Sequence, residues 1–315
     1  MKKHIISVVF LFTALILAGC GTNEDSADKK DKKALEVYTT VYPLQYFTEE
    51  IGGKYVNAQT IYPPGTDEHS FEPSQKDIVK MAESDLFFYI GYNLEGFVTK
   101  AKPILENEGV TTEAIGEKVQ LDTHAHEEHE EHEEHDDGHD HGGVNPHLWL
   151  DPVYSDQMAK AIKDELTKKM PDQADYFDER YQDLSKRLNE LDSQLASVIQ
   201  DGKTKKIIVS HSAYGYWEER YGLEQIGVTG IASSNEPSQK ELKNIVQIAE
   251  KNHLHYVVFE QNISSKLTEI IQKEVGADSL TLHNLSVLTE KDIKAEEDYF
   301  SLMNHNINTL KTALN

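Results

Sequence analysis

The sequence has little cysteine and few basic residues, and each shortage excludes a class of protein. Its 315 residues contain one cysteine, Cys20, so no internal disulfide framework can form. Lysine and arginine number 31 against 55 aspartates and glutamates, which gives a formal net charge of −24. Because binding to nucleic acid requires basic side chains for the phosphates, we expect no nucleic-acid partner. Beyond the N-terminal segment, no apolar run is long enough to cross a bilayer.

The N-terminal segment has the pattern of a secretory signal peptide. A short charged head (2–4) precedes an almost wholly apolar stretch (5–18) that is too short for an ordinary transmembrane helix. The sequence Leu17-Ala-Gly-Cys20 closes this segment and resembles the bacterial lipobox, which implies cleavage before Cys20 and diacylation of its thiol. Two acyl chains would anchor the protein stably without a membrane span. The alternative is an ordinary signal peptide that contains a cysteine.

The rest of the chain predicts a tether followed by two lobes. Residues 21–33 are polar and charged and lack apolar periodicity, as in a flexible tether. After them, apolar strand-like segments alternate with helical ones, which is typical of βα units with a parallel sheet. The predicted parts are a lipoprotein signal peptide (1–19), a tether with lipidated Cys20 (20–34), an N-terminal α/β lobe (35–155), linking helices (156–200) and a C-terminal α/β lobe (201–315).

The two predicted lobes repeat one order of elements. The heptapeptide at 72–78, Glu-Pro-Ser-Gln-Lys-Asp-Ile, returns at 236–242 as Glu-Pro-Ser-Gln-Lys-Glu-Leu, and in both copies its proline stands near the start of a predicted helix. Between the copies, residues 176–199 carry apolar side chains at three- and four-residue spacing, which predicts a long amphipathic helix. The fold class is therefore α/β, with two pseudo-symmetric lobes, each a mainly parallel sheet flanked by helices, joined by a long rigid helix.

A low-complexity tract of histidine and acid occupies residues 124–141. It has no apolar residue larger than alanine, so it cannot form a packed core. Imidazole and carboxylate groups bind transition-metal ions, and many weak ligand pairs predict several exchangeable sites of low affinity. A solvated acidic loop without a role is the alternative, and metallochaperones and metal sensors also carry such tracts. The candidate ligands of this auxiliary loop are His124, His126, His129, His132, His135, His139 and His141.

Three other histidines occupy positions typical of ligand sites in α/β proteins. His69 follows a turn after a predicted strand, His147 lies in Asn-Pro-His-Leu-Trp, and His211 follows the apolar strand at 206–210. Ligands of open α/β sheets gather beyond the carboxyl ends of strands, so we expect these three side chains to meet. A surface or core position is the simpler interpretation of any one histidine, and we assign it to those without such a setting: His253, His255, His283 and His305.

These motifs resemble those of the solute-binding lipoproteins of bacterial ABC importers for zinc and manganese, the ZnuA/AdcA-like group. The resemblance covers essentially all of the chain after the tether. It implies two lobes joined by a long helix, one metal ion in the cleft between them, a monomer, no enzymatic activity, and an ABC permease with its ATPase as partners. The motifs that carry it are the acidic His-rich insertion, Glu68-His69-Ser-Phe-Glu-Pro-Ser, Asn145-Pro-His147-Leu-Trp-Leu-Asp-Pro, Ser210-His211-Ser-Ala-Tyr, Asn235-Glu-Pro-Ser and Phe259-Glu260.

The resemblance also implies that His69, His147 and His211 are metal ligands. Manganese members that resemble this chain place a carboxylate at the position of His211. A third imidazole favours Zn²⁺, which accepts nitrogen ligands in a tetrahedral shell, whereas Mn²⁺ prefers oxygen. We therefore expect Zn²⁺ as the transported ligand, and a manganese-specific binding protein of the same family is the alternative.

The fourth ligand is less clear from the sequence. Many relatives supply a carboxylate from a loop near the C-terminus, and Ser286 stands at that position here. Glu68, a water molecule and Glu290 are the three candidates for the fourth ligand. Glu260, at the end of a predicted strand, is interpreted either as a partner that orients a histidine N–H or as a helix cap.

Capture of Zn²⁺ at the extracytoplasmic face of the bacterial membrane, with delivery to an importer, is the leading functional hypothesis. Because the ligands must be deprotonated, affinity should fall as the pH drops through the histidine range. A zinc-dependent hydrolase is an alternative, since three histidines and a water can also be catalytic. No His-Glu-x-x-His motif supports a hydrolase. An adhesin or metallochaperone fits the tether and the tract but does not explain the paired lobes.

Overall fold

Two parallel sheets with the same strand order make up the framework of the chain. The computed structural model describes residues 33–121, 143–231, 237–262 and 265–315. The predicted signal peptide, nearly all of the predicted tether with Cys20, and the His-rich tract lie outside the described residues. From Ala34 to Asn315, the described residues belong to one compact unit. Among them, no helix has both the length and the apolar character needed to cross a bilayer.

The first sheet contains four parallel strands in the order β2-β1-β3-β4. All four side chains of β3, Leu-Phe-Phe-Tyr, are buried, because helices cover both faces of the sheet. The elements are β1 (Leu35–Thr39), α1 (Tyr42–Gly52), β2 (Val56–Thr60), α2 (Gln75–Ala82), β3 (Leu86–Tyr89), α3 (Val98–Asn107) and β4 (Thr111–Ala114).

Two long helices connect this lobe to the second, α4 (Pro152–Lys169) and α5 (Ala174–Asp201). The predicted helix over 176–199 is confirmed as α5, which has 28 residues and buries an apolar stripe that includes Leu184, Leu188 and Leu191. The helix α4 packs against both α5 and α1. The connection is therefore a packed pair of helices rather than a single one.

The second sheet repeats the first, with the order β6-β5-β7-β8 and all strands parallel. This identical strand order confirms the predicted pair of α/β lobes, while the lobe boundaries at 155 and 200 stay a prediction. The elements are β5 (Lys206–His211), α6 (Gly215–Tyr221), β6 (Glu224–Thr229), α7 (Gln239–Lys251), β7 (Tyr256–Glu260), α8 (Lys266–Val275), β8 (Asp278–Leu282), α9 (Glu290–Lys294) and α10 (Tyr299–Ala313).

The repeated heptapeptide encodes a helix start in both lobes. Ser74 and Ser238 are the N-caps of α2 and α7, and each forms a capping box with the acidic residue three positions later. The proline lies one residue before each cap, which agrees with its predicted place near the start of the helix. The serine and the following acid are the stronger local signal.

Apolar side chains pack into a large core cluster and a smaller one. The large cluster spans both faces of the first sheet, the linking helices and the inner face of the second sheet. Residues of β5 alternate, so Val209 belongs to the large cluster and Ile208 to the smaller one. The smaller cluster packs α7 and α8 on the outer face of the second sheet and consists of Ile208, Val228, Leu242, Ile245, Ala249, Leu254, Val257 and Ile271.

Candidate metal centre

Four side chains from distant parts of the chain meet at the carboxyl ends of the strands. Glu68 and His69 lie in the loop between β2 and α2, His147 precedes a short 3₁₀ turn before α4, and His211 is the last residue of β5. Their potential ligand atoms all lie within 4.8 Å of one another. Glu68, His147 and His211 are buried and His69 is partly buried. The three histidines expected to meet therefore do so, with Glu68 beside them.

The distances between these atoms match a small tetrahedral ion. The Nε2 atom of His147 lies 3.2 Å from Nε2 of His69 and 3.3 Å from Nε2 of His211. A tetrahedral Zn²⁺ with bonds of about 2.0–2.1 Å to nitrogen separates its ligand atoms by about 3.3–3.4 Å. Oε1 of Glu68 lies 4.0 Å from Nε2 of His69, slightly beyond such an edge.

Hydrogen bonds on the far side of two imidazole rings determine which nitrogen holds the proton. Oδ1 of Asn145 accepts the backbone N–H of His147 at 3.1 Å and faces Nδ1 of the same residue at 2.8 Å. A carboxylate oxygen of Glu260 contacts Nδ1 of His211. With Nδ1–H donated to these acceptors, both Nε2 atoms of the neutral rings direct lone pairs into the same space. When both rings are neutral, these lone pairs are available to one cation, whereas a proton on Nε2 of His211 would be donated to Nε2 of His147 across the same 3.3 Å.

Burial and charge shift the pKa values of the four groups in different directions. Burial, together with the charge of Glu260, raises the pKa of Glu68 to about 7, and burial lowers that of His69 to about 4. Burial also lowers the pKa of His147 well below its usual range. Burial would lower the pKa of His211, but the charge and hydrogen bond of Glu260 outweigh it and raise the pKa. Two of the imidazoles are therefore neutral near pH 7 and available to a metal ion.

Several residues around the site escaped the sequence interpretation. Asn145 could have been found, because an Asn two residues before a histidine can turn back onto it. Asn284 carries no local signal, and the sequence marks Ser286 only as the position where many relatives have a carboxylate. The structure places Oγ of Ser286 at 2.8 Å from Oε2 of Glu68. Ser286 thus contacts the carboxylate of Glu68 instead of supplying one. Glu260, interpreted as a helix cap or a partner of a histidine, lies against His211.

Among the described residues, neither Glu290 nor the histidines assigned to surface or core positions join the four residues. Within the described part of the chain, Glu290 begins α9 and is not a member of this group. His283 is buried, and its ring contacts Asp292 at 3.2 Å through Nε2 while Nδ1 accepts a backbone N–H. His305 is exposed and lies 3.2 Å from Glu297. The histidines of the 124–141 tract lie outside the described residues.

Two parallel-sheet lobes on a pair of long helices, with side chains gathered between them, define a two-lobed solute-binding protein. The chain belongs to the family described as zinc-uptake complex component A, periplasmic, whose sequence model matches residues 37–313. The resemblance drawn from the motifs is therefore confirmed. Since the family consists of transport components, the expectation that the chain is not an enzyme is confirmed as well.

Two curated relatives and one solved structure that are similar to this chain are named for zinc binding or zinc uptake. The zinc-binding lipoprotein AdcA of Streptococcus pneumoniae (strain ATCC BAA-255 / R6) is 33% identical over 312 residues, which cover 99% of this chain and 61% of AdcA. The high-affinity zinc uptake system protein ZnuA of Bacillus subtilis (strain 168) is 30% identical over 302 residues, which cover 95% of this chain and 94% of ZnuA. The crystal structure of the Zn(II)-bound ZnuA-like domain of Streptococcus pneumoniae AdcA has a TM-score of 0.73 at 30% identity, covering 89% of this chain and 99% of that domain.

Proposed function

We propose that this protein captures Zn²⁺ outside the cytoplasm at Glu68, His69, His147 and His211 and delivers it to an ABC importer. The observation that carries the proposal is the convergence of three imidazoles and one carboxylate, whose potential ligand atoms all lie within 4.8 Å of one another. One small cation can accept a lone pair from each of these four groups. The family and the zinc-binding relatives support the same function.

Zn²⁺ suits this set of ligands better than Mn²⁺. Three imidazoles and one carboxylate satisfy a tetrahedral Zn²⁺ ion, whereas Mn²⁺ prefers more oxygen ligands and a higher coordination number. The spacing of 3.2–3.3 Å between imidazole nitrogens also favours short bonds and a small shell. We therefore propose that Zn²⁺ is preferred over Mn²⁺.

Delivery requires that the importer distinguish the loaded protein from the empty one. Zn²⁺ would connect His69 of the first lobe to His211 of the second, so its binding favours arrangements in which both lobes reach the ion. A ligand shifts such an equilibrium only by its difference in affinity for the two states. We propose that an ABC permease, with its ATPase, recognises the loaded arrangement of a monomer held at the membrane by a lipid on Cys20.

The His-rich tract at 124–141 would collect zinc for this site. Its alternating imidazoles and carboxylates predict weak and exchangeable binding. Deleting 124–141 should slow capture when zinc is scarce and leave the tight site intact. Calorimetry that showed loss of the tight binding phase in this deletion would refute the assignment of the site to Glu68, His69, His147 and His211.

Competitive titration of the mature, untethered protein with Zn²⁺ and Mn²⁺ tests the proposal. His147→Ala should lower the Zn²⁺ affinity by more than about a hundredfold, since even the loss of a partner that only orients a ligand costs 10–100-fold. The control is His305→Ala, which removes an exposed imidazole outside the site and should leave the affinity unchanged. Equal Zn²⁺ affinity of the two variants, or tighter binding of Mn²⁺ than of Zn²⁺ by the unmodified protein, would contradict the proposal.

A further inference from the structure

The loop that follows β8 extends from the second lobe onto the first. We call residues 283–289 the crossing loop. Its backbone accepts two hydrogen bonds from first-lobe amides, Tyr42 N–H to the carbonyl of Ser286 at 2.8 Å and Gly65 N–H to the carbonyl of Leu288 at 3.0 Å. The crossing loop is therefore fixed to both lobes beside the metal centre.

Within the crossing loop, the amide of Asn284 has one orientation that satisfies all of its neighbours. Its Oδ1 accepts the backbone N–H of Ser286 at 3.1 Å and Nε2–H of Gln261 at 2.9 Å. The amide nitrogen must therefore point the other way, where Oε2 of Glu260 lies at 2.8 Å and Oε1 of Glu68 at 3.4 Å. One neutral side chain thus donates toward a carboxylate from each lobe.

The hydroxyl of Ser286 acts on the other oxygen of Glu68. Ser286 is completely buried, and its Oγ lies 2.8 Å from Oε2 of Glu68 and 2.9 Å from Oδ1 of Asn284. Since Oδ1 of Asn284 already accepts two N–H groups, the single hydroxyl proton goes to the carboxylate, which is also the stronger acceptor. Oε2 of Glu68 is thereby held, and Oε1 faces Nε2 of His69 at 4.0 Å.

We propose that Asn284 and Ser286 are positioning residues that hold the carboxylate of Glu68 toward the imidazoles and so make Glu68 the fourth ligand of the ion. This inference rests on the proposed function. Neither residue offers a charge of its own, so their effect on the metal acts through Glu68. Glu68 and Glu260 both lie in the site, almost completely buried, and the amide of Asn284 lies between them.

A double-mutant cycle tests whether Ser286 acts through Glu68. Ser286→Ala removes one hydroxyl and should weaken Zn²⁺ binding by about tenfold, the size typical of lost partners around a metal site. In a Glu68→Gln background the same change should alter the affinity by less than about twofold, because the coupled ligand is already lost. An equal weakening in both backgrounds, or none in the unmodified protein, overturns the inference.

A spectroscopic measurement separates a role at the metal from a role in folding. In the Co²⁺-substituted protein, Ser286→Ala and Glu68→Gln should change the visible absorption bands in the same way, while His305→Ala leaves them unchanged. A Ser286→Ala protein with an unaltered Co²⁺ spectrum overturns the inference. If Ser286→Ala does not fold, Asn284→Ala in the same two backgrounds decides, with the same expected coupling to Glu68.

The outcomes also distinguish this inference from the proposed function. Failure of the unmodified protein to bind Zn²⁺ through His147 refutes both. Tight binding that depends on His147, combined with independent effects of Ser286 and Glu68, refutes only the positioning role and leaves Glu68 as a ligand that Ser286 does not orient.

Discussion

The two lobes share one strand order but contribute to the site in different ways. In the first lobe, the residues between β2 and α2 (61–74) include Glu68 and His69, and they outnumber the residues between β6 and α7 in the second lobe (230–238). In the second lobe the ligand is His211, which pairs with Thr229 as Thr39 pairs with Thr60. His211 therefore has the position that Thr39 has in the first lobe. The two lobes therefore supply ligands to one site from different elements of the same strand order.

The lobes also differ in how their outer faces are packed. Both faces of the first sheet belong to the large core cluster, whereas the outer face of the second sheet, under α7 and α8, belongs to the smaller one. The second lobe therefore has an outer layer with its own core, and the first lobe has no such layer among the described residues. This difference should appear both in local stability and in the response to mutations.

The largest expected effect is the loss of Zn²⁺ affinity when the histidine ligand of either lobe is removed. His69→Ala and His211→Ala should each weaken Zn²⁺ binding by more than about a hundredfold in a competitive titration, because each removes a ligand from one lobe. The matched control is Thr39→Ala, at the position that corresponds to His211. Among the described residues its buried hydroxyl has no hydrogen-bond partner, so its loss should change the affinity by less than about twofold. A small effect of either histidine would show that one lobe alone holds the ion.

The next largest effect is the loss of stability when a buried side chain is removed from either core cluster. Ile245→Ala in the smaller cluster should destabilise α7 and α8 by about 2–4 kcal/mol, and Leu188→Ala in the large cluster should lower the free energy of unfolding by about 3–5 kcal/mol. Amide hydrogen exchange shows whether the destabilisation is local or extends over the whole chain. Ile245→Ala should speed exchange mainly in α7 and α8, and Leu188→Ala throughout the chain. Uniform acceleration by Ile245→Ala would mean that the outer layer is not separate.

The lobes should also differ in how protons compete with zinc. The pKa of His69 is lowered to about 4, so this ligand stays neutral between pH 5 and 8. The pKa of His211 is raised by Glu260, so a proton must leave this ring before Zn²⁺ binds. As pH falls toward 5.5, the affinity should therefore drop by up to about tenfold per unit. In Glu260→Gln the drop should begin at lower pH, and an unchanged profile of Zn²⁺ affinity against pH would contradict this origin.

The smallest expected effect concerns the two helix caps. Ser74→Ala and Ser238→Ala each remove a capping box and should destabilise α2 or α7 by about 1 kcal/mol. Since α7 belongs to the outer layer, Ser238→Ala should act locally in hydrogen exchange, whereas Ser74→Ala should lower the thermal midpoint of the whole chain. An exposed serine of α5, Ser193, provides the control, and Ser193→Ala should have little effect. Identical behaviour of the two caps would argue against the separate layer.

Much of the fold and the three gathered histidines could be predicted because their signals are local, and Glu68 was one of three candidates for the fourth ligand. Alternating strands and helices, the repeated heptapeptide and the stripe on α5 all lie within short windows. His69 and His211 each lie at or beyond the carboxyl end of a strand of their own sheet, where ligands of α/β proteins gather. The contacts of Glu68 could not be predicted in this way. Ser286 and Asn284 lie 218 and 216 positions away from it in sequence, and only the folded chain brings their side chains to its carboxylate.

The division of the core was not predicted for a similar reason. The strand β5 reads as one apolar run, and sequence alone does not show that Ile208 and Val209 face different clusters, because both faces of a buried parallel strand are apolar. The helix caps show the opposite case. Their signal lies in the serines at 74 and 238 and in the prolines directly before them, all within one repeated heptapeptide.

X-ray absorption at the zinc edge tests the central claim most directly. The protein without residues 124–141, loaded with one equivalent of Zn²⁺, should show four nitrogen and oxygen neighbours at about 2.0–2.1 Å, with the outer-shell scattering of three imidazole rings. Scattering from a single imidazole, or a shell of six oxygens, would contradict the meeting of His69, His147 and His211 around one ion.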